Sequence, residues 1–241
     1  MSGRFDLSRQ RILVTGAASG IGAATAQVCA SLGAELLLLD RDDCSAAADT
    51  VVAAGGRARC WRADVSDRAA VERIAAEAGP VDALVASAAL CPWDDWLDEG
   101  WDAVFRRVMA VNLLGPLHCA RALLPGMIER RHGRIVLVGS LAGRMGGLIA
   151  GPHYVASKGG LHALVKWLAR KAAPHVLVNG VAPASVATAM MQGQPVDLGR
   201  IPLGRMAGAE EVAWPIAFLC SAAASYVTGT VLDVNGGVYM S

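Results

Sequence analysis

The chain has 241 residues, 54% of them apolar and 18% charged, with a formal net charge of +1. That length suits one α/β domain or two small ones, and the apolar share supports a large core, so an ordered globular fold is expected throughout. A charge so close to zero, with no basic stripe and no interleaved aromatics, argues against nucleic acid as a partner. The start, MSGRFDLSRQR, lacks an apolar signal core, and no uninterrupted apolar run is expected to span a membrane, Arg144 breaking the longest candidate. Six scattered cysteines (Cys29, Cys44, Cys60, Cys91, Cys119, Cys220) show no Cys-x-x-Cys or Cys/His ligand spacing, which points to reduced thiols, a cytoplasmic protein and no metal.

Taken in order, an apolar run over 11–14 leads into Thr15-Gly16-Ala17-Ala18-Ser19-Gly20-Ile21-Gly22. A helical pattern over 23–32 follows, stopped by Gly33, and then a second strand over 35–39 ends at Asp40. Strand, glycine-rich turn, helix, strand and acid make up a dinucleotide-binding unit: the glycines bend the backbone toward a pyrophosphate, and the helix start offers it free N–H groups. The spacing here is Gly-x-x-x-Gly-x-Gly. Asp40 stands where an acid accepts hydrogen bonds from the adenosine ribose hydroxyls and repels a 2′-phosphate, favouring NAD over NADP. Arg41 beside it is a residue that can meet such a phosphate.

The alternation continues with a helix over 44–54, a strand over 58–63 ending in Asp64-Val65, and a helix over 67–77 with Ser66 or Asp67 as N-cap. A strand over 81–86 precedes a long helical region over 96–131, expected to break near Gly115-Pro116. Strands over 134–139, 176–182 and 231–234, helices over 154–173 and 209–222, and an irregular Pro/Gly-rich segment over 183–208 complete the pattern. Strands and helices alternate with no linker and no repeat. The expectation is a single doubly wound, Rossmann-type α/β domain over 1–241 with a parallel sheet flanked by helices.

After the fifth strand comes Ser140, then a glycine-rich loop, then Tyr154 and Lys158 four residues apart on one helix face. A phenol ordinarily titrates near 10, and a neighbouring ammonium draws it down toward the working range. Ser140 could donate a hydrogen bond to a substrate oxygen. Such a set moves a proton on or off a carbinol or carbonyl oxygen.

With these pieces placed, the chain resembles the short-chain dehydrogenase/reductase family over nearly its whole length. The resemblance rests on the Thr15-to-Gly22 turn, Asp64-Val65, Asn112 in Val111-Asn112-Leu113, Ser140, Tyr154-x-x-x-Lys158, Val178-Asn179-Gly180-Val181-Ala182-Pro183 with Thr188, and the Tyr226-to-Gly237 ending. It implies a seven-stranded sheet and a catalytic set of Asn112, Ser140, Tyr154 and Lys158. In that scheme Tyr154 is the general acid/base, Ser140 polarises the substrate oxygen, and Lys158 lowers the tyrosine pKa and holds the nicotinamide ribose. Asn112 fixes a helix kink and a proton-relaying water. The cofactor residues implied are Gly16, Ser19, Gly20, Ile21, Gly22, Asp40, Asp64, Val65, Ala86, Ala88, Val186 and Thr188, together with Tyr154 and Lys158.

Two departures stand out. The family's Asn-Asn-Ala-Gly at the fourth strand end is here Ala86-Ser87-Ala88-Ala89, which leaves that end to be braced by another group, Ser87 being one candidate. The glycine expected after Pro183 is Ala184, whose extra methyl either narrows the pocket near the nicotinamide or needs a backbone adjustment where φ is positive.

The substrate is expected to meet Cys91, Pro92, Trp93, Trp96, Leu141, Met145, His153, Met190 and Met191, an apolar set suited to an aliphatic or aromatic ketone, under a lid at about 188–205. The expected activity is reversible NAD-linked oxidation of a secondary alcohol. Reduction of a 3-oxoacyl thioester is the alternative, and a non-catalytic dinucleotide sensor is the rival of a different class. The resemblance further implies a homotetramer.

Overall fold

Seven strands form one sheet in the computed structural model, which describes residues 3–147 and 149–240. They are β1 (Arg11–Thr15), β2 (Glu35–Asp40), β3 (Arg57–Arg62), β4 (Ala83–Ala86), β5 (Gly133–Val138), β6 (Val176–Pro183) and β7 (Val231–Val234). All pair in parallel, in the order β3-β2-β1-β4-β5-β6-β7. β4 and β5 are buried along their whole length, as apolar strands covered by helices on both faces must be. The edge strand β3, RARCWR, is largely exposed, and its arginines discourage pairing with another chain.

The helices are α1 (Gly20–Ser31), α2 (Ser45–Ala53), α3 (Arg68–Ala78), α4 (Trp101–Met109), α5 (Gly115–Glu129), α6 (Ala142–Met145), α7 (Pro152–Ala172) and α8 (Ala209–Cys220). Two apolar clusters cover the two faces of the sheet. Ala26, Val28, Val212 and Ile216 of α1 and α8 belong to one, and Val71, Cys119, Leu123, Leu161 and Val165 of α3, α5 and α7 to the other. Asp67 is the N-cap of α3, its carboxylate accepting from Ala70 N (3.1 Å). The strand order reverses between β1 and β4, and a crevice opens there beyond the carboxyl ends of the strands.

The long helical region departs from expectation in two ways. It begins at Trp101 rather than near 96, and it does not break at Gly115-Pro116. α4 runs into α5 through a π-helical turn, Ala110–Leu114, that closes with Gly115 N on Ala110 O. Pro116 has no N–H to give the Asn112 carbonyl, and the widened turn absorbs that defect without ending the helix. The continuous Trp101–Glu129 helix is therefore long and apolar enough, by length and composition, to cross a membrane, contrary to the reading from uninterrupted runs. Here Val108, Val111, Cys119, Ala120, Leu123 and Met127 are buried within the domain.

Candidate active site

The glycine turn starts where β1 ends. Gly16 takes φ +69, and a Cβ there would lie 2.8 Å from the Ala88 backbone. A Cβ on Gly22 would lie 1.9 Å from Gly16 O, so only glycine lets α1 start this close to β1. Ser19 is the residue before α1, with Gly20 and Ile21 in its first turn; all three line the crevice. Asp40, at the end of β2, accepts from Ala18 N through Oδ2 and from Asp42 N through Oδ1, both 2.9 Å. Arg41 also lines the crevice, with its guanidinium 3.5 Å from the Asp42 carboxylate.

Asp64 and Val65 form the next stretch of wall. Burial pushes the Asp64 carboxyl up, but hydrogen bonds from Ser66 and Arg107 outweigh it and hold the group below its ordinary value. The Arg107–Asp64 pair is a contact that sequence reasoning missed; its only signal is an arginine on α4 turned toward β3.

Ala86 is an interior strand residue, 3% exposed, and does not line the crevice, contrary to expectation; Ser87, Ala88 and Ala89 do. Nor is Ser87's side chain the brace for this strand end. The Thr15 hydroxyl does that work, accepting from Ser87 N (3.1 Å) and Ala88 N (3.2 Å). Ala184 introduces no strain: among the described non-glycine residues only Arg131 has a positive φ. Val186 and Thr188 follow β6 into the crevice, and the Thr188 methyl would stand 3.3 Å from a Cβ on Gly20, so the segment after β6 meets the glycine turn there.

Ser140, Tyr154 and Lys158 converge on the same crevice, which encloses about 440 Å³. β5 delivers Ser140, whose Oγ accepts from Ala142 N (3.1 Å), leaving its own proton free to be donated. Behind it the buried His162 presents Nε2 to Ser140 N (3.5 Å). Burial, with the Arg144 and Lys158 cations adding, lowers that imidazole to about 4 and keeps it neutral. The following loop is pinned to β7 by Arg144, which donates to Asp233 (3.1 Å) and to Val231 O (2.6 Å).

Lys158 is 2% exposed. Its ammonium donates to Val138 O (2.8 Å) and lies 5.5 Å from the centre of the Tyr154 ring. Burial lowers it to about 8. The tyrosine departs from expectation: burial pushes the Tyr154 phenol above its ordinary value, the Cys91 thiol adds to that, and only Ser140 opposes it. Around neutral pH the phenol keeps its proton, the form that can protonate a ketone oxygen.

Asn112, 1% exposed, does not line the crevice. From the π-turn its amide donates to Leu90 O (2.9 Å) and Ser157 Oγ (3.1 Å) and accepts from Leu90 N (2.8 Å). It ties the loop after β4 to α7 from within the irregular turn of the long helix. Of the expected substrate wall, Cys91, Trp93, Leu141, Met145, Met190 and Met191 line the crevice, and Ile149, Val196 and Arg200 join them. Pro92, Trp96 and His153 do not: Trp96 is 61% exposed and His153 is buried beneath the loop. Trp93 Nε1 donates to Met190 O (3.2 Å), joining this wall to the segment after β6. Among the described residues no cluster of three or more His, Cys, Asp or Glu could hold a metal.

A nicotinamide dinucleotide fits this crevice: glycines at one end leave its floor open, Asp40 faces that turn, and Ser140, Tyr154 and Lys158 stand at the other end. Comparison with known proteins agrees. The family model described as Enoyl-(Acyl carrier protein) reductase matches residues 16–239. The cis-4-hydroxycyclohexanecarboxylate dehydrogenase of Sinomonas cyclohexanicum is 41% identical over 238 residues, 93% of this chain and 94% of that one. A Beutenbergia cavernae structure, a candidate NAD(P)-dependent gluconate 5-dehydrogenase with NADP at low occupancy, superposes with a TM-score of 0.91 at 35% identity over 98% of this chain and 99% of that one. A 3-oxoacyl-[acyl-carrier protein] reductase from Brucella melitensis with bound NAD gives 0.90 at 32% identity, over 100% of this chain and 97% of that one. The chain belongs to the short-chain dehydrogenase/reductase family. It is an oxidoreductase acting on a CH–OH or ketone group.

Proposed function

We propose that this enzyme catalyses reversible oxidation of an apolar secondary alcohol with NAD, Tyr154 acting as general acid/base. The observation that carries the reading is the meeting of Ser140, Tyr154 and Lys158 with an apolar wall at the end of the crevice away from Asp40. The bound dinucleotide would supply the hydride acceptor or donor. The protein's own groups do the rest. Tyr154 gives its phenolic proton to the ketone oxygen, or takes it back from the alcohol. Ser140 points its free hydroxyl proton at the same oxygen, and Lys158 keeps a positive charge beside both. Gly16, Ser19, Gly20, Ile21 and Gly22 would hold the pyrophosphate, Asp64, Val65 and Ala88 the adenosine half, and Val186 and Thr188 the nicotinamide side.

The wall also suggests a substrate class. Of the cations lining the crevice, Arg41 pairs with Asp42, Arg107 with Asp64, and Lys158 with the Val138 carbonyl. Arg200, on the lid, makes no ion pair among the described residues. An alicyclic or aliphatic alcohol bearing a remote carboxylate matches an apolar wall with one free guanidinium, and the Sinomonas relative is named for such a compound. The Brucella relative's name supports a 3-oxoacyl thioester as the second reading.

Asp40 supports NAD over NADP, because its carboxylate is fixed by two backbone N–H groups where a 2′-phosphate would come to lie. The six free thiols support a reducing, cytoplasmic setting. The exposed Trp167 (53%) on α7 and Leu114 (48%) on the long helix support assembly into a homotetramer through those helices.

The test is a panel of 4-hydroxycyclohexanecarboxylate, cyclohexanol, acyclic secondary alcohols and an acetoacetyl thioester, each with NAD(H) and NADP(H), followed by nicotinamide absorbance. The expected result is turnover of the hydroxy acid above cyclohexanol, with NAD preferred and the preference weakened in Asp40→Ala. A wild-type preference for NADP overturns the cofactor assignment, and turnover of the thioester alone establishes the second reading.

A further inference from the structure

His153 and Asp94 stand outside the crevice, yet both are bonded to elements that form it. His153 is the second residue of α7 and is completely buried. Its ring stacks on Trp101, the first residue of α4, with centroids 5.5 Å apart and planes 15° from parallel. Tyr154 N–H is shared between His153 Nδ1 (2.7 Å) and Gly151 O (3.1 Å), so Nδ1 offers a lone pair and the ring proton sits on Nε2. Nε2 then donates to Asp94 Oδ1 at 2.9 Å, across 59 positions of sequence. Asp94 is the neighbour of Trp93, whose indole holds the lid at Met190 O.

We propose that Asp94 and His153 are positioning residues, a clamp that locks the substrate wall and its lid contact onto the helical turn carrying Tyr154. The connected path runs from Met190 through Trp93, Asp94 and His153 to the backbone of Tyr154. Its members bear on where the alcohol lies relative to the phenol. None of the hydrogen bonds along this path ends on Gly16, Gly20, Gly22 or Asp40, so the clamp is expected to act first on the alcohol rather than on the dinucleotide. The arrangement leaves Asp94 Oδ2 and Trp101 Nε1 buried without partners. Buried polar atoms left unpaired cost stability, so the placement of this loop is not set by its own hydrogen bonding alone. The inference rests on the reading of Tyr154 as proton donor and names what aims it.

The experiment compares wild type, Asp94→Ala, His153→Ala, the double variant and Asp94→Asn in the full-length protein. Alcohol and NAD are varied separately, NADH affinity is read by fluorescence, and amide exchange is followed over residues 90–100. In Asp94→Ala we expect kcat/KM for the alcohol to fall by about 10-fold or more, largely through KM. The NADH Kd should stay within about twofold and exchange over 90–100 should quicken. The double variant should be no worse than the single ones, because the two side chains act through one bond. Asp94→Asn, which keeps an oxygen for Nε2–H, should retain most activity. Unchanged alcohol kinetics in Asp94→Ala, additive losses in the double variant, or losses that only track the unfolded fraction overturn the clamp. If His153→Ala does not fold, Asp94→Ala, which leaves the imidazole in place, decides the question. A wild type that binds NADH but turns over no alcohol contradicts the catalytic reading instead, and the exchange measurement still judges the clamp.

Discussion

Lys158 holds an ammonium at 2% exposure, hydrogen-bonded to Val138 O, and burial lowers its pKa from 10.5 to about 8. Between those two values the unfolded chain binds a proton that the native chain has released. Stability therefore rises with pH across that window, and below pH 8 the whole penalty is present. The shift corresponds to roughly 3 kcal/mol, part of which the Val138 hydrogen bond offsets. Lys158→Met, of similar length and uncharged, should thus raise Tm at pH 7 by a few degrees while abolishing turnover, with the Tm gain shrinking as pH approaches 10.5. A lower Tm at pH 7 would show that the lysine stabilises the fold rather than serving the site. Tyr154, Lys158 and Ser140 were legible in the sequence because helical spacing and a strand end fix their positions. The direction of the tyrosine's shift was not, since spacing reports a neighbouring charge but not the desolvation that here outweighs it.

At the scale of elements, the glycine turn, Asp40 and the strand ends were readable because each requires a particular residue type. Gly22 has no room for a methyl, and Asp40 closes β2. Contacts between remote segments left no local pattern. Thr15 reads as an ordinary strand residue until β4 is laid beside β1 and its hydroxyl meets Ser87 and Ala88. Asn112 was expected at a kink and does lie in the π-turn, but its tie between the loop after β4 and α7 left no mark in the local sequence. The predicted break at Gly115-Pro116 followed from treating proline as a helix stop. A π-turn one residue earlier supplies the slack that the ring needs, and periodicity of 3.6 does not announce an inserted residue. His153 and Trp96 were assigned to the substrate wall by proximity in sequence to wall residues, and burial in one case and exposure to solvent in the other remove them.

For the molecule as a whole, one sheet with helices on both faces was legible from the alternation of strands and helices. The order β3-β2-β1-β4-β5-β6-β7 was not, because register and neighbour choice are decided only when the faces pack. That order puts the ends of β1, β2 and β4 beside those of β5 and β6, which is why a turn near residue 16 and a tyrosine at 154 share one crevice. The exposed apolar residues on α7 and the long helix belong to this scale. Light scattering should return a mass near four times the 24.9 kDa chain, and a monomeric mass would reject the proposed tetramer.

The most direct test of the account is Tyr154→Phe, which removes one oxygen and keeps the ring. With turnover and NADH affinity measured on the same preparation, turnover should fall by at least about 100-fold while the dinucleotide Kd stays within about threefold. Turnover close to wild type would contradict proton transfer by this phenol, and joint loss of turnover and binding would assign Tyr154 a structural role instead.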